Sequence, residues 1–246
     1  MNDFLRAFSL LTVVPVRPRW DNDAPLGRAM AFYPLVGLIM GGLLAGVAAL
    51  LIWLTRGAES AALLRSALLL IVWTLLSGGL HLDGWGDACD GLLPTVERAR
   101  RLEILRDPRM GSFGVIGIAL ILLLKLAALH GLPGNAALIL APTLGRWGVV
   151  LAAYGWPSAR PGGMGDRFRQ GLGRAQIALA TMTALAATAL VTWIGAGWAP
   201  LIALAVAFLV ALAIARFAAG RLGGLTGDIY GAIVEGVEVM VLVVMT

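Results

Sequence analysis

Seven apolar runs, near residues 31–54, 62–80, 114–131, 136–155, 176–195, 199–217 and 229–245, leave this chain little choice of architecture. Each is close to the ~20 residues that a helix needs to cross the hydrocarbon core of a bilayer. Inside lipid, backbone N–H and C=O groups find no water, so a spanning segment must satisfy them internally as a helix. Composition agrees: 13% of residues are charged, against about 25% in a soluble domain, and mean hydropathy is +0.87. The expected fold is all-α, a polytopic integral membrane bundle of about seven transmembrane helices in a single domain, residues 1–246. The lone Cys89 excludes a disulfide framework. The stretch Phe8–Val16 lacks a small-residue cleavage site and, with Pro15 and Pro18 nearby, reads as an interfacial or re-entrant segment instead of a signal peptide.

Basic residues orient the bundle. With the N-terminus cytoplasmic, fifteen of the nineteen Lys and Arg residues fall in cytoplasmic segments, and only Arg56 and Arg65 fall outside. That is a strong positive-inside asymmetry. Lys125 and Arg146 lie within spans. The external loops (near 56–61, 131–135 and 195–198) are short, so chemistry is expected on the cytoplasmic face, in 81–114 and 216–238. Topology thus accounts for the net charge of +5 and the isoelectric point near 10.3, and nucleic-acid binding is not expected.

The most informative motif follows the second span: His81-Leu-Asp-Gly-Trp-Gly-Asp-Ala-Cys-Asp-Gly-Leu92. Asp83, Asp87 and Asp90 are spaced i, i+4, i+7 and share one helix face. Charges beside a membrane are usually paired, hydrated or metal-bound. Three hard oxygen donors without a His or Cys cluster suit Mg²⁺ or Mn²⁺ better than zinc. His81 is a candidate acid, base or phosphate ligand, or simply a helix cap.

Arginines supply the opposite charge. Residues 98–107 are expected to form a short amphipathic helix ending at Pro108. Arg106 and Arg109, beside Gly111, Ser112 and Gly114, suit phosphate binding; ordinary positive-inside arginines with glycines easing a turn fit as well. Arg146, in Pro142-Thr-Leu-Gly-Arg-Trp-Gly148, must find a carboxylate, a cavity or a substrate anion, while Trp147 is expected at lipid or the interface. Arg221 with Gly223, Gly224 and Gly227 has the look of backbone wrapped around an anion. Asp228, Glu235 and Glu238 then share a face of the last span and call for a polar cavity or partner charges, with Arg146 and Lys125 as candidates. Together these features indicate a Mg²⁺-dependent membrane enzyme acting on a phosphorylated or pyrophosphorylated substrate. A CDP-alcohol phosphotransferase fits that outline, but its usual Asp-rich signature is absent. A secondary transporter fits less well, since no repeat relates the halves. A non-catalytic scaffold leaves the in-phase aspartates without a task.

Motif order resembles one family, the cobalamin synthases (adenosylcobinamide-GDP ribazoletransferases). The resemblance rests on His81–Gly91, Phe32–Gly37, Arg106–Gly114, Gly145–Trp147, Gly223–Asp228 and then Glu235 and Glu238. Trp85-Gly86 departs from the small aliphatic pair usual there. The resemblance implies transfer of adenosylcobinamide phosphate from adenosylcobinamide-GDP to α-ribazole or its 5′-phosphate, with release of GMP. It implies a multi-pass inner-membrane enzyme, with homo-oligomers or contacts to other cobamide-assembly enzymes left open. Asp83, Asp87 and Asp90 would bind Mg²⁺, and one of them or His81 would take the acceptor proton. Arg106, Arg109 and Arg221, helped by Gly223, Gly224 and Gly227, would hold phosphates; Arg146, Asp228, Glu235 and Glu238 would line the cavity.

Overall fold

A computed structural model describes residues 2–19, 25–160, 162–195 and 197–246; Ala196, in the third external loop, lies outside the described residues. The described residues form eleven α-helices: α1 (Asn2–Leu11), α2 (Tyr33–Leu54), α3 (Ala62–Leu76), α4 (Leu80–Leu92), α5 (Arg98–Ile104), α6 (Ser112–Gly131), α7 (Ala136–Gly155), α8 (Met164–Arg169), α9 (Arg174–Trp193), α10 (Ala199–Leu222) and α11 (Gly227–Val244). A 3₁₀ turn, Leu26–Phe32, leads into α2. Six helical segments are long and apolar enough to span: Leu26–Leu54, Glu59–Leu76, α6, α7, α9 and α10. The seventh expected span is α11, 18 residues long but carrying Asp228, Glu235 and Glu238. The chain is a polytopic helical membrane protein. The amphipathic segment expected before Pro108 is α5; of the interfacial or re-entrant stretch expected at Phe8–Val16, the part up to Leu11 belongs to α1, which docks on the 3₁₀ turn and α2.

Helix α7 is the hub, buried along most of its length and packed against α2, α9, α10 and α11. Lipid tails are as apolar as leucine, so membrane helices associate mainly where small residues let backbones approach. Gly37 and Gly41 of α2 meet α7 at Pro142 and Ile139. Ala203, Ala207, Ala211 and Ala215 form the buried stripe of α10. Leu63, Leu64, Ile71 and Leu75 face outward from α3 into lipid. Trp53, Trp193 and Trp198 are exposed at the ends of α2, α9 and α10, beside the loops expected to be external, where tryptophan suits a membrane interface. A Cβ on Gly41 would stand 2.6 Å from the Ile139 Cα, which is backbone and cannot step aside. Gly41→Ala is therefore expected to destabilise the protein by about 1–3 kcal/mol. Gly42→Ala, with nothing within 4 Å, should leave the melting temperature in detergent unchanged or slightly raised, and the pair checks the packing.

Two expectations need correction. The second span does not continue to residue 80: α3 ends at Leu76, and Gly78 and Gly79 turn the chain with φ of +63° and +70°. Only glycine adopts that left-handed region without strain. As a result α4 is a separate helix of 13 residues, too short to span. Trp147 does not face lipid either. It is buried, and its Nε1 donates to Thr181 Oγ1 at 3.1 Å.

Candidate active site

Helix α4 can enter the bundle because its glycines remove side chains where neighbours cross. Gly84 packs against the backbone of α11 at Asp228 and Gly231, and Gly86 faces Ile118 of α6. Trp85 finds room between α6 and α11: its Nε1 donates to the Gly117 carbonyl at 3.0 Å, and its ring lies beside Gly236. The departure from the small aliphatic pair is thus absorbed by two glycines.

Beneath α4 lies a buried ion network. Lys125 of α6 contacts Glu235 at 2.9 Å and Glu238 at 2.6 Å, both on α11. The other Glu238 oxygen accepts from Arg146 of α7. Arg146 also lies 3.3 Å from His81 Nδ1, and Lys125 sits 4.4 Å above the Trp73 ring of α3. Two cations face two anions, so the cluster is neutral as a whole, the condition under which charge survives in a low-dielectric interior. Lys125 and Arg146 are indeed the partners of two of the three acids of the last span, Glu235 and Glu238, but not of Asp228. Arginine can only donate, so His81 Nδ1 must accept, and the imidazole proton resides on Nε2. In that tautomer His81 offers its Nε2–H as a donor.

Above the network opens a cavity of about 450 Å³. His81, Asp83 and Arg146 contribute to its wall, as do Arg160, Thr226 and Asp228. The N-terminus of α11 opens into it at Gly227, where unpaired backbone N–H groups favour an anion. Thr226 Oγ1 donates to Asp228 at 3.1 Å.

The three aspartates of α4 have different surroundings. Asp83 is exposed at the cavity mouth. Asp87 is half-buried, and burial followed by the charges of Asp83, Asp228 and Asp90 pushes its carboxyl up to about 6. Among the described residues neither Asp83, Asp87 nor Asp228 takes part in an ion pair. No three of His, Cys, Asp and Glu among the described residues form a ready-made metal centre. Asp90 is turned to α6, where its oxygens accept from Gly111 N at 2.7 Å and Gly114 N at 2.8 Å. Asparagine offers only one such acceptor. Asp90→Asn is expected to cost about 1–3 kcal/mol, seen as a lower melting temperature, and to lower activity in a way that extra Mg²⁺ does not restore.

The arginines divide as well. Arg109 is exposed and paired with Asp107 at 2.7 Å, and its hydrogen bonds hold the Asp107 carboxyl down at about 2. Arg106 is exposed, near enough to Arg160 for the two cations to repel. Arg101 is buried and donates to the Gly91 and Leu92 carbonyls at 2.9 and 2.8 Å, and Arg221 also donates to Leu92 O. These two cap the C-terminus of α4, where carbonyls lack partners and the helix dipole is negative. Gly223 makes room for the Arg98 guanidinium and Gly224 for the backbone of 157–159, leaving Gly227 as the glycine of that trio at the cavity.

With this geometry in view, comparison with known sequences is decisive. The family model described as cobalamin-5-phosphate synthase matches residues 3–246. The chain belongs to that family. Relatives named adenosylcobinamide-GDP ribazoletransferase include one from Roseiflexus sp., 38% identical over 98% of this chain and 87% of its own length. One from Pseudomonas savastanoi pv. phaseolicola is 38% identical over 100% of this chain and 99% of its own. One from Brevibacillus brevis is 36% identical over 100% and 98%. No solved structure matches the chain. For this cobalamin-5-phosphate synthase family member, sequence reasoning missed Arg160, Phe168 and Tyr230, which all line the cavity. Each comes from a different segment, and no local spacing links them. The Phe32–Gly37 block did contain one further wall residue, Tyr33.

Proposed function

We propose that this chain transfers the adenosylcobinamide phosphate group of adenosylcobinamide-GDP to α-ribazole or its 5′-phosphate, the last assembly step of cobalamin. The observation that carries the reading is the convergence of unpaired acids of α4 and α11: Asp83 and Asp228 stand on the wall of a cavity that also presents Arg160 and a helix N-terminus, and Asp87 is close enough to both to feel their charge. The acceptor's ribose hydroxyl attacks the phosphorus nearer the cobinamide. The bond from that phosphorus to the bridging oxygen breaks, and GMP leaves with the electron pair. The hydroxyl proton goes to a carboxylate of the Asp83, Asp87 and Asp228 cluster. Arg160 and the α11 N-terminus hold phosphate oxygens, and His81 Nε2 donates from the cavity wall.

An excess of oxygen donors with uncompensated negative charge fits a hard divalent cation. Asp83, Asp87 and Asp228 would hold Mg²⁺, which would neutralise charge on the pyrophosphate oxygens. Asp90 instead fixes the start of α6 against α4. The arginine-rich end of the bundle, opposite the exposed tryptophans, faces the cytoplasm, and in a bacterial cell the bilayer is the inner membrane. The test is direct. Detergent-purified protein with adenosylcobinamide-GDP, α-ribazole and Mg²⁺ should release GMP and form the cobalamin product, and EDTA should stop both. Absence of product from folded protein would overturn the assignment.

A further inference from the structure

Helix α11 starts from Thr226, a residue 4% exposed that holds the extended backbone of an N-cap, with φ of −114° and ψ of 173°. A threonine in that place ordinarily accepts a hydrogen bond from an amide of the first helical turn, which stabilises the helix. Thr226 makes no such bond. Its Oγ1 donates instead to Asp228 Oδ2 at 3.1 Å. The hydroxyl thus serves a carboxylate on the cavity wall, and the helix start is left uncapped by it. The backbone that carries this hydroxyl is itself pinned. Leu225 N donates to the Pro157 carbonyl at 2.8 Å and Ala159 N to the Leu225 carbonyl at 2.9 Å, a short parallel bridge. Gly165 lets α8 close on the same place: a Cβ there would meet the Leu225 carbonyl oxygen at 3.1 Å and the Thr226 Cα at 3.6 Å. The bridging segment continues into Arg160, whose Nη2 donates to the Leu102 carbonyl of α5 at 2.9 Å. One bridge therefore sets both the arginine of the cavity and the hydroxyl beside its acid.

We infer that Thr226 is a positioning residue, whose hydroxyl sets the Asp228 carboxylate in place for the divalent cation before the cation arrives; the inference rests on the Mg²⁺ site proposed above. A free aspartate turns about its side-chain bonds, and ordering it at the moment of binding is unfavourable. Held at Oδ2 from a pinned backbone, Asp228 has lost that freedom already, so a ligand meets a preset acid. The chemistry of the partner matters too. An ionised carboxylate only accepts, so its holder must donate. An arginine in that place would neutralise the acid, whereas a hydroxyl orients it and leaves its charge for the cation.

The experiment measures Mn²⁺ binding to the full chain in detergent, read from the electron paramagnetic resonance signal of the free ion. Thr226→Val keeps the size and branching of the side chain and removes the hydroxyl. It should bind Mn²⁺ about ten- to a hundredfold more weakly than wild type, the usual effect of losing a partner of a metal ligand. Thr226→Ser restores the donor and should bind nearly as wild type does. Thr226→Ala removes the same hydroxyl without valine's second methyl group and should match Thr226→Val. Asp228→Asn should weaken binding at least as much, and adding Thr226→Val to it should weaken binding little further, because the two side chains act as a unit. In turnover, Thr226→Val should raise the Mg²⁺ concentration needed for half-maximal rate, with kcat largely restored by excess Mg²⁺. A hydroxyl with a merely structural task would lower the melting temperature in EDTA and leave the Mn²⁺ affinity unchanged, a result that overturns the inference. So does a double variant in which the two losses add in full. Wild type that binds no Mn²⁺ removes the metal site itself and the inference with it, so the two failures are told apart.

Discussion

Asp87→Ala is expected to lower turnover by about 10³-fold or more while leaving the protein as stable as before, or more so. A bound cation contributes several kcal/mol to stabilising charge in the transition state, and each 1.36 kcal/mol is a factor of ten in rate. Stability should move the other way. The Asp87 carboxyl is pushed up to about 6, first by burial and then by Asp83, Asp228 and Asp90. A carboxylate whose pKa is raised on folding is a net burden that sets in above its ordinary value of 3.8, grows up to about 6 and stays in full above that. Deleting it at pH 7 relieves repulsion. Activity assays alongside thermal unfolding in detergent check both halves. A variant that loses activity only because it melts would show that Asp87 is structural, and one that keeps full activity would remove the metal assignment. Active sites commonly hold such destabilising groups, and the trade-off is the signature to look for.

Lys125→Met should have the largest effect on stability. It leaves Glu235 and Glu238 buried with Arg146 as the remaining cation in the network. Breaking a buried pair by removing one partner costs about 3–5 kcal/mol, because the other charge stays behind unpaired. The double variant Lys125→Met/Glu235→Gln restores neutrality, with Arg146 facing Glu238 alone. It should recover most of the lost thermal stability. Lys125→Met at the wild-type melting temperature would mean that the interior screens these charges far better than the packing indicates.

The spans were legible because a bilayer imposes a length, and it is written directly in residues such as those of α6 and α7. The pairing of Lys125 and Arg146 with Glu235 and Glu238 was legible for a related reason: lipid tolerates no lone charge, so four charged residues in apolar runs had to find one another. The break at Gly78-Gly79 was hidden, since hydropathy runs smoothly across it and only two adjacent glycines mark it. Arg221 was read as a phosphate ligand because an arginine beside glycines looks the same whether it meets phosphate oxygens or the bare carbonyls ending α4. Apart from Tyr33, which stands in the Phe32–Gly37 block, the cavity wall of Arg160, Phe168 and Tyr230 left no local trace. Residues nearly two hundred positions apart are neighbours there only after folding.

The ion network also bears on how the protein is made. Helix α11 is a poor candidate to enter a membrane unaided, because an acidic residue near the centre of a span costs about 2.5–3.5 kcal/mol on insertion. Its countercharges, Lys125 and Arg146, lie 113 and 92 residues ahead of Glu238 and leave the ribosome first. The last helix thus enters lipid favourably only once α6 and α7 are already there to receive it. A chain stalled before that step would carry two unneutralised cations in the bilayer.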